Sequence, residues 1–318
     1  MSLANGRPYL AIPGPSTIPD RVLNAMHRAA PNIYAGDLHA LVAGLWPDLR
    51  RLAGTSAHIA MYIVNGHGAW EAANANMFSR GDRALVLATG AFGLGWANAA
   101  RAMGVAVDVL DFGTSAPVDL AQLEAALRAD VAHGLKAVLL THVDTATSVR
   151  SDVAAVRAVM DAVGHPALLA VDCIASMGCD EYHMDAWGVD VTVAASQKGV
   201  MVPPGLGFVW FSDKARAVCA GADLRTPYWD WGPRAFGAEF WQRFCGTAPT
   251  HHLFGLRESL TMIAEEGLAN VWARHEVLAR SVWAAFDAWG AGNPDIALNV
   301  ADPAHRGRSV TAARLGAP

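Results

Sequence analysis

The chain carries several short apolar runs that do not alternate with polar residues, and the clearest of them, at 190–195, leads directly into Ser196-Gln197-Lys198-Gly199. A strand without a polar face must be covered on both sides, which is the situation of a strand inside a parallel sheet flanked by helices. Similar runs predict strands at 58–64, 84–88, 105–109, 136–141, 167–172 and 207–211, with helical patterns between most of them. This alternation predicts an α/β fold on a mostly parallel sheet. An extended arm at 8–19 precedes helical patterns at 21–30 and 37–52, Pro19-Asp20 serving as a helix start. From 254 the texture changes to two helices, 254–266 and 270–289, with Gly267 at the break, and these lead into a smaller second domain. The expected division is an arm at 1–20, a large domain at 21–250 and the start of a small α/β domain at 251–318.

Composition narrows the function. With 318 residues, 53% hydrophobic and 17% charged, the chain is a well-buried globular protein larger than one typical core. Its net charge of -5 comes without any block of like charge, so neither nucleic acid nor an anionic membrane is an expected partner. The longest apolar stretches are interrupted by Asp172, Lys198 or Pro203-Pro204, short of the roughly 20 residues that a bilayer span needs. Cys173, Cys179, Cys219 and Cys245 show no CxxC spacing, and no signal segment precedes Gly6-Arg-Pro-Tyr-Leu. A cytoplasmic protein that binds a small molecule is expected.

Open parallel sheets bind ligands at the carboxyl ends of their strands. Lys198 stands at such an end, and the run at 167–172 ends in Asp172, so an amine and a carboxylate share one rim. The pair suits pyridoxal phosphate, because the amine can form a Schiff base with the aldehyde while an aspartate keeps the ring nitrogen protonated. Taken singly, a lysine is more often a solvated surface charge, and a strand-end aspartate often caps the next turn. The run at 58–64 continues into Asn65-Gly66-His67-Gly68-Ala69-Trp70-Glu71 and a helix, presenting backbone N–H groups to an anion such as a phosphate. A dinucleotide fingerprint would need a glycine where Glu71 stands. Phe92, in Gly90-Ala-Phe92-Gly93-Leu-Gly95, can lay its ring on a flat cofactor or belong to the core. No metal site is expected, since Ala279 replaces the second histidine of the pattern begun by His275-Glu276, and His251-His252 reads as a loop or helix start. A G-x-S-x-G nucleophile elbow is absent.

From Ile12-Pro-Gly-Pro to Trp289, and most densely over Gly164–Asp172, Trp187–Gly199 and Pro203-Pro-Gly-Leu-Gly-Phe208, the chain resembles the class V aminotransferases, serine–glyoxylate and alanine–glyoxylate aminotransferases in particular. The resemblance implies fold type I of the pyridoxal-phosphate-dependent transferases. It implies Lys198 as the Schiff-base lysine, Asp172 as the ring-nitrogen partner, Gly66, His67 and Gln197 as phosphate binders and Phe92 as the stacking ring. Thr247, in Cys245-Gly-Thr247-Ala-Pro, matches the residue that reaches the phosphate of the neighbouring subunit, which implies a homodimer with its active site at the subunit interface. The implied reaction moves an amino group between a small amino acid (serine, alanine or aspartate) and a 2-oxo acid such as glyoxylate or pyruvate. Lys198 would then move the α-proton as general base.

Departures from the family pattern leave alternatives open. Asn65 stands where relatives often have serine, and Tyr34-Ala35 where many have His-Arg. The loop 141–149 lacks the Ser-Thr-Gly core, and its Asp144-Thr145 resembles the pyridoxamine–pyruvate aminotransferases. A cysteine-desulfurase-like lyase would want a mobile loop cysteine, which neither Cys219 nor Cys245 matches. The chain stops at Pro318, just after 309–315, the expected first strand of the small domain, and before the place where relatives carry an arginine for the substrate carboxylate. A cofactor-binding protein with weakened catalysis is therefore a further expectation, with Arg225 and Arg314 as substitutes for that arginine.

Overall fold

The apolar runs pair into one seven-stranded sheet in the computed structural model, which describes residues 10–316; the start of the expected arm, Pro8 included, lies outside the described residues. In chain order the strands are β1 (His58–Tyr62), β2 (Arg83–Ala88), β3 (Ala106–Asp111), β4 (Leu135–Thr141), β5 (Leu168–Asp172), β6 (Val191–Ala195) and β7 (Gly207–Phe211). Across the sheet they lie in the order β1-β7-β6-β5-β4-β2-β3. The five strands from β6 to β3 are parallel, whereas β7 runs against both β6 and β1. Strand β1 therefore points the same way as β6, and both deliver their ends to the same rim.

The helices are α1 (Asp20–Met26), α2 (Asp37–Ala53), α3 (Gly66–Met77), α4 (Ala91–Ala102), α5 (Leu120–Ala129), α6 (Val153–Val163), α7 (Asp213–Cys219), α8 (Trp231–Phe236), α9 (Thr250–Glu266) and α10 (Leu268–Gly290). They cover both faces of the sheet, as the lack of polar alternation requires. Along β2, Leu85 and Leu87 join a core built with α1, α2, α5, α6 and α9, while Ala84, Val86 and Ala88 join the opposite core with α3, α4, α7 and α8. Side-chain caps fix several helix starts. Asp119 accepts from Ala121 and Gln122, and Asp152 from Ala155, each satisfying first-turn N–H groups that the helix leaves open. Gly164, at φ 72, ends α6 in the left-handed conformation that glycine enters without strain.

Several boundaries differ from the sequence expectation. The helix expected over 21–30 stops at Met26, ahead of Pro31, which disfavours helix in the residue before it. Helix α9 starts at Thr250 and takes His251-His252 into its first turn. Its Leu253, Leu256, Leu260 and Ile263 belong to the main core, so the helix expected to open the small domain packs with the large layer. The segment 309–315 is not the first strand of the small unit. Strand β8 (Ile296–Leu298) precedes it and pairs antiparallel with β9, which is confined to Ala313–Leu315. Ser309 and Val310 instead line the cavity that holds Lys198, and Thr311 accepts a bond from the Trp283 indole. A three-residue strand such as β8 leaves no periodic signal to read. Ala279, Trp283 and Leu298 form a small separate cluster between α10 and this hairpin.

Candidate active site

Strands β5 and β6 are neighbours, so their carboxyl ends bring Asp172 and Lys198 to one stretch of rim. After β6 the chain turns tightly. Ser196 Oγ donates to Pro203 O (2.8 Å) and accepts from Leu206 N (3.2 Å), which folds the lysine loop back on the start of β7. Gly199 has to be glycine there, because a Cβ would collide with Met177 O and come within 2.7 Å of Cys179 Sγ. Lys198 opens into a cavity of ≈ 690 Å³ lined also by Gly14, Ser16, Thr145, Ala175 and Ser309.

The amino-terminal arm crosses this lysine. Lys198 Nζ donates to Pro13 O (2.7 Å), Ser16 N donates to Gln197 O (2.9 Å), and Ser16 Oγ donates to Lys198 O (2.7 Å). Gly14, at φ 123, passes so close to Nζ that a Cβ would overlap it. Burial holds the Lys198 pKa below the ordinary lysine value, with the charge of Asp172 pulling the other way. A larger fraction of the amine is therefore neutral near neutral pH, which is what a base or nucleophile needs.

Asp172 is 3% exposed. Its Oδ1 accepts from Ile174 N (2.7 Å) and its Oδ2 from the Trp70 indole Nε1 (2.9 Å). Burial pushes its pKa up to about 7; the two N–H bonds and Lys198 oppose that rise, while Asp144 adds to it. Among the described residues the carboxylate makes no ion pair, so a buried acid faces the rim without a cation. The protonated ring nitrogen of a pyridine cofactor is the complement it lacks. Gln197 Oε1, beside the lysine, is likewise buried with no partner.

At the end of β1, Asn65 caps α3, its side chain accepting from His67 N (3.1 Å) and Gly68 N (3.3 Å). Two of the amides that the sequence offered to an anion are thus engaged by this side chain. Gly66 is buried against Ile174, where a Cβ would come within 2.6 Å of Cδ1, and His67 is exposed, its ring 4.7 Å from that of Trp70. Phe92 sits in the first turn of α4, partly buried, its ring edge-on to Trp70 at 6.4 Å. The backbone of that turn is held by Asp144, whose Oδ2 accepts from Phe92 N (2.8 Å) and Gly93 N (3.1 Å).

Lys198, Asp172, Gly66, His67, Gln197 and Phe92 therefore gather around the ends of β1, β2, β5 and β6. Thr247 does not join them. It is exposed and lines a different cavity, of ≈ 400 Å³, with Ile33, Tyr34, His39 and Trp241. Arg225 lines a third cavity, and Arg314 is exposed on β9, so neither guanidinium lies in the Lys198 cavity as the substitution for a carboxylate clamp would require. Sequence reasoning did not give Trp70 a part in the site, nor Asp144 its hold on α4. Asp144 drew attention through the missing loop core and the resemblance of Asp144-Thr145 to the pyridoxamine–pyruvate aminotransferases, neither of which bears on α4.

The Aminotransferase class-V family model matches residues 48–315. A serine–glyoxylate aminotransferase of Methylorubrum extorquens is 39% identical over 299 residues, covering 90% of this chain and 72% of the relative. An L-aspartate–glyoxylate aminotransferase of Paracoccus denitrificans is 39% identical over 287 residues, covering 88% of this chain and 70% of the relative. The crystal structure of an alanine–glyoxylate aminotransferase from Nostoc superposes with a TM-score of 0.84 at 26% identity, covering 98% of this chain and 83% of the other. The chain belongs to the class-V aminotransferase family, whose members are pyridoxal-phosphate-dependent enzymes of fold type I.

Proposed function

We propose that this aminotransferase moves an amino group from a small amino acid to glyoxylate or a similarly short 2-oxo acid, with Lys198 as the reactive amine and Asp172 as its electrostatic counterpart. Two relatives of equal identity share glyoxylate in their names and differ in the donor, serine in one and aspartate in the other, which supports glyoxylate as the acceptor. Bound pyridoxal phosphate supplies an aldehyde to take up the amino group and a ring that withdraws electrons from the substrate carbon. Asp172 holds positive charge at the ring nitrogen, a task for which a buried carboxylate without a cation is suited. Lys198, its pKa lowered by burial, accepts the α-proton of the substrate and returns it. Gly66, His67 and Gln197 would hold the cofactor's phosphate, and Phe92 would supply a ring to stack on the cofactor. The arm at Pro13–Ser16 limits water at the amine.

The active unit in this reading is a homodimer. In such a dimer Thr247, exposed on a cavity separate from Lys198, would reach the phosphate site of the second copy. A cytoplasmic address agrees with the four unpaired cysteines. No helix among the described residues is long and apolar enough to cross a membrane.

The observation that carries the reading is the convergence of Lys198 and Asp172 on adjacent strand ends. Lys198→Ala protein, mixed with cofactor and desalted, is expected to lose the yellow absorption of the covalently held aldehyde. Its turnover with L-serine, L-alanine or L-aspartate and glyoxylate should fall by a factor on the order of 10³. Retention of the band, or no turnover by the unaltered enzyme with any of the three donors, would sink it.

A further inference from the structure

Asp172 is held by a side chain that the reaction itself does not call for. Trp70, on α3, is 1% exposed and donates its indole N–H to Asp172 Oδ2 at 2.9 Å. Its direction is set on every side. The indole stacks on Trp96 with centroids 6.1 Å apart and planes 9° from parallel, and it meets the rings of His67 and Phe92 edge-on at 4.7 and 6.4 Å. Trp96 is in turn anchored by its own indole N–H, which donates to Asn74 Oδ1 at 3.0 Å. Helix α4 comes close enough that a Cβ on Gly95 would lie 3.3 Å from the Trp70 ring. The N–H thus has one orientation available, and it points at the carboxylate.

We propose that Trp70 is a positioning residue for the amino-transfer reaction: its indole N–H fixes the Asp172 carboxylate and favours its charged form, so that the proton shared with the cofactor ring stays on the ring nitrogen. Carboxylate oxygens have about four acceptor sites between them, so one N–H on each, from Ile174 and Trp70, leaves room for the ring. The proton between a carboxylate and a pyridine nitrogen divides according to their relative basicity. An N–H bond to the carboxylate makes it the weaker base and moves the proton to the ring, which is then the stronger electron sink. The other groups acting on Asp172 are the Ile174 N–H, which favours the charged form, Asp144 from the loop after β4, and Lys198 from the end of β6. Asp144 opposes the charged form and Lys198 favours it, so Trp70 stands with Lys198 against burial.

The consequence for catalysis rests on the cofactor reading above, but the effect on Asp172 can be read without cofactor, so the two can fail separately. In cofactor-free protein carrying carboxyl-labelled aspartate, the Asp172 resonance, assigned by its absence from Asp172→Asn, is followed against pH. Trp70→Phe keeps the aromatic stack and removes the N–H. It is expected to raise the titration midpoint by about one pH unit. Trp96→Phe removes an equally buried indole N–H from the same stack and should leave the midpoint where it was. In the loaded enzyme, Trp70→Phe should lower kcat by about tenfold with the donor KM little changed, and shift the pH dependence of the bound cofactor's absorption. Should Trp70→Phe not fold, the unaltered protein still decides the matter. One indole N–H resonance must titrate with the same midpoint as Asp172 and stop titrating in Asp172→Asn. Equal midpoints in Trp70→Phe and unaltered protein, or no indole resonance that follows Asp172, overturns the proposal.

Discussion

At Asp172, burial and hydrogen bonding act in opposite directions, and burial wins, so that the pKa rises to about 7. That has a consequence for stability. A carboxyl with a folded pKa above its unfolded value binds more protons when folded, so its contribution is full below the unfolded pKa and is lost as pH rises through the folded one. Cofactor-free protein should therefore lose stability between about pH 4 and pH 7 on account of this residue. Asp172→Asn removes the proton and keeps the shape. Relative to the unaltered protein, its melting temperature is expected to be higher near pH 8 than near pH 5, with the difference shrinking once pyridoxal phosphate is added. An Asp172→Asn variant whose melting temperature runs parallel to that of the unaltered protein across that range would show that the carboxyl is not strained by its burial.

Helix α4 begins on a carboxylate from a different element, and that borrowed cap decides where Phe92 lies. Asp144 is fully buried and accepts from Phe92, Gly93 and Ala146, joining the loop after β4 to the first turn of α4. Asp144→Ala leaves those amides without their acceptor, and a loss of about 3 kcal/mol is expected in chemical denaturation, together with weaker cofactor binding. A variant within about 0.5 kcal/mol of the unaltered protein would mean that water or the loop replaces the cap. The contrast with Asp172 and Lys198 explains what could be read from the sequence. Those two stand where apolar runs stop, so the residue pattern marks both the strand and its end. The strands of the large layer were legible for the same reason, since a doubly covered strand has no polar face. Asp144 and Trp70 carry no such mark: Trp70 meets Asp172 across 102 positions, and a tryptophan in an apolar helix reads as core whether or not its N–H has a task. Asn65 was noticed as a departure, but its capping of α3 depends on a backbone turn that composition does not reveal. Strand β8 was missed because three residues cannot display a period.

Across the whole molecule, the site depends on contacts between regions far apart in the chain. The sheet places β1, β5 and β6 on one rim even though β7 runs the other way between two of them. Arg21 on α1 pairs with Glu258 and Glu265 on α9, tying the start of the chain to its last large-layer helix. The bond from Lys198 Nζ to Pro13 O spans 185 positions. On the ribosome the arm is therefore made long before the lysine that it covers. At roughly 5 to 20 residues per second, 185 residues of further synthesis take about 10 to 40 seconds, during which the arm has no docking partner. Cofactor loading at Lys198 is in that sense an event of the finished large layer, not of the growing chain. Brief protease treatment of stalled nascent chains should cut within Leu10–Thr17 while Lys198 is still inside the exit tunnel, and should spare those residues once it has emerged and folded. Equal cutting at both lengths would mean that the arm never closes over the amine during synthesis.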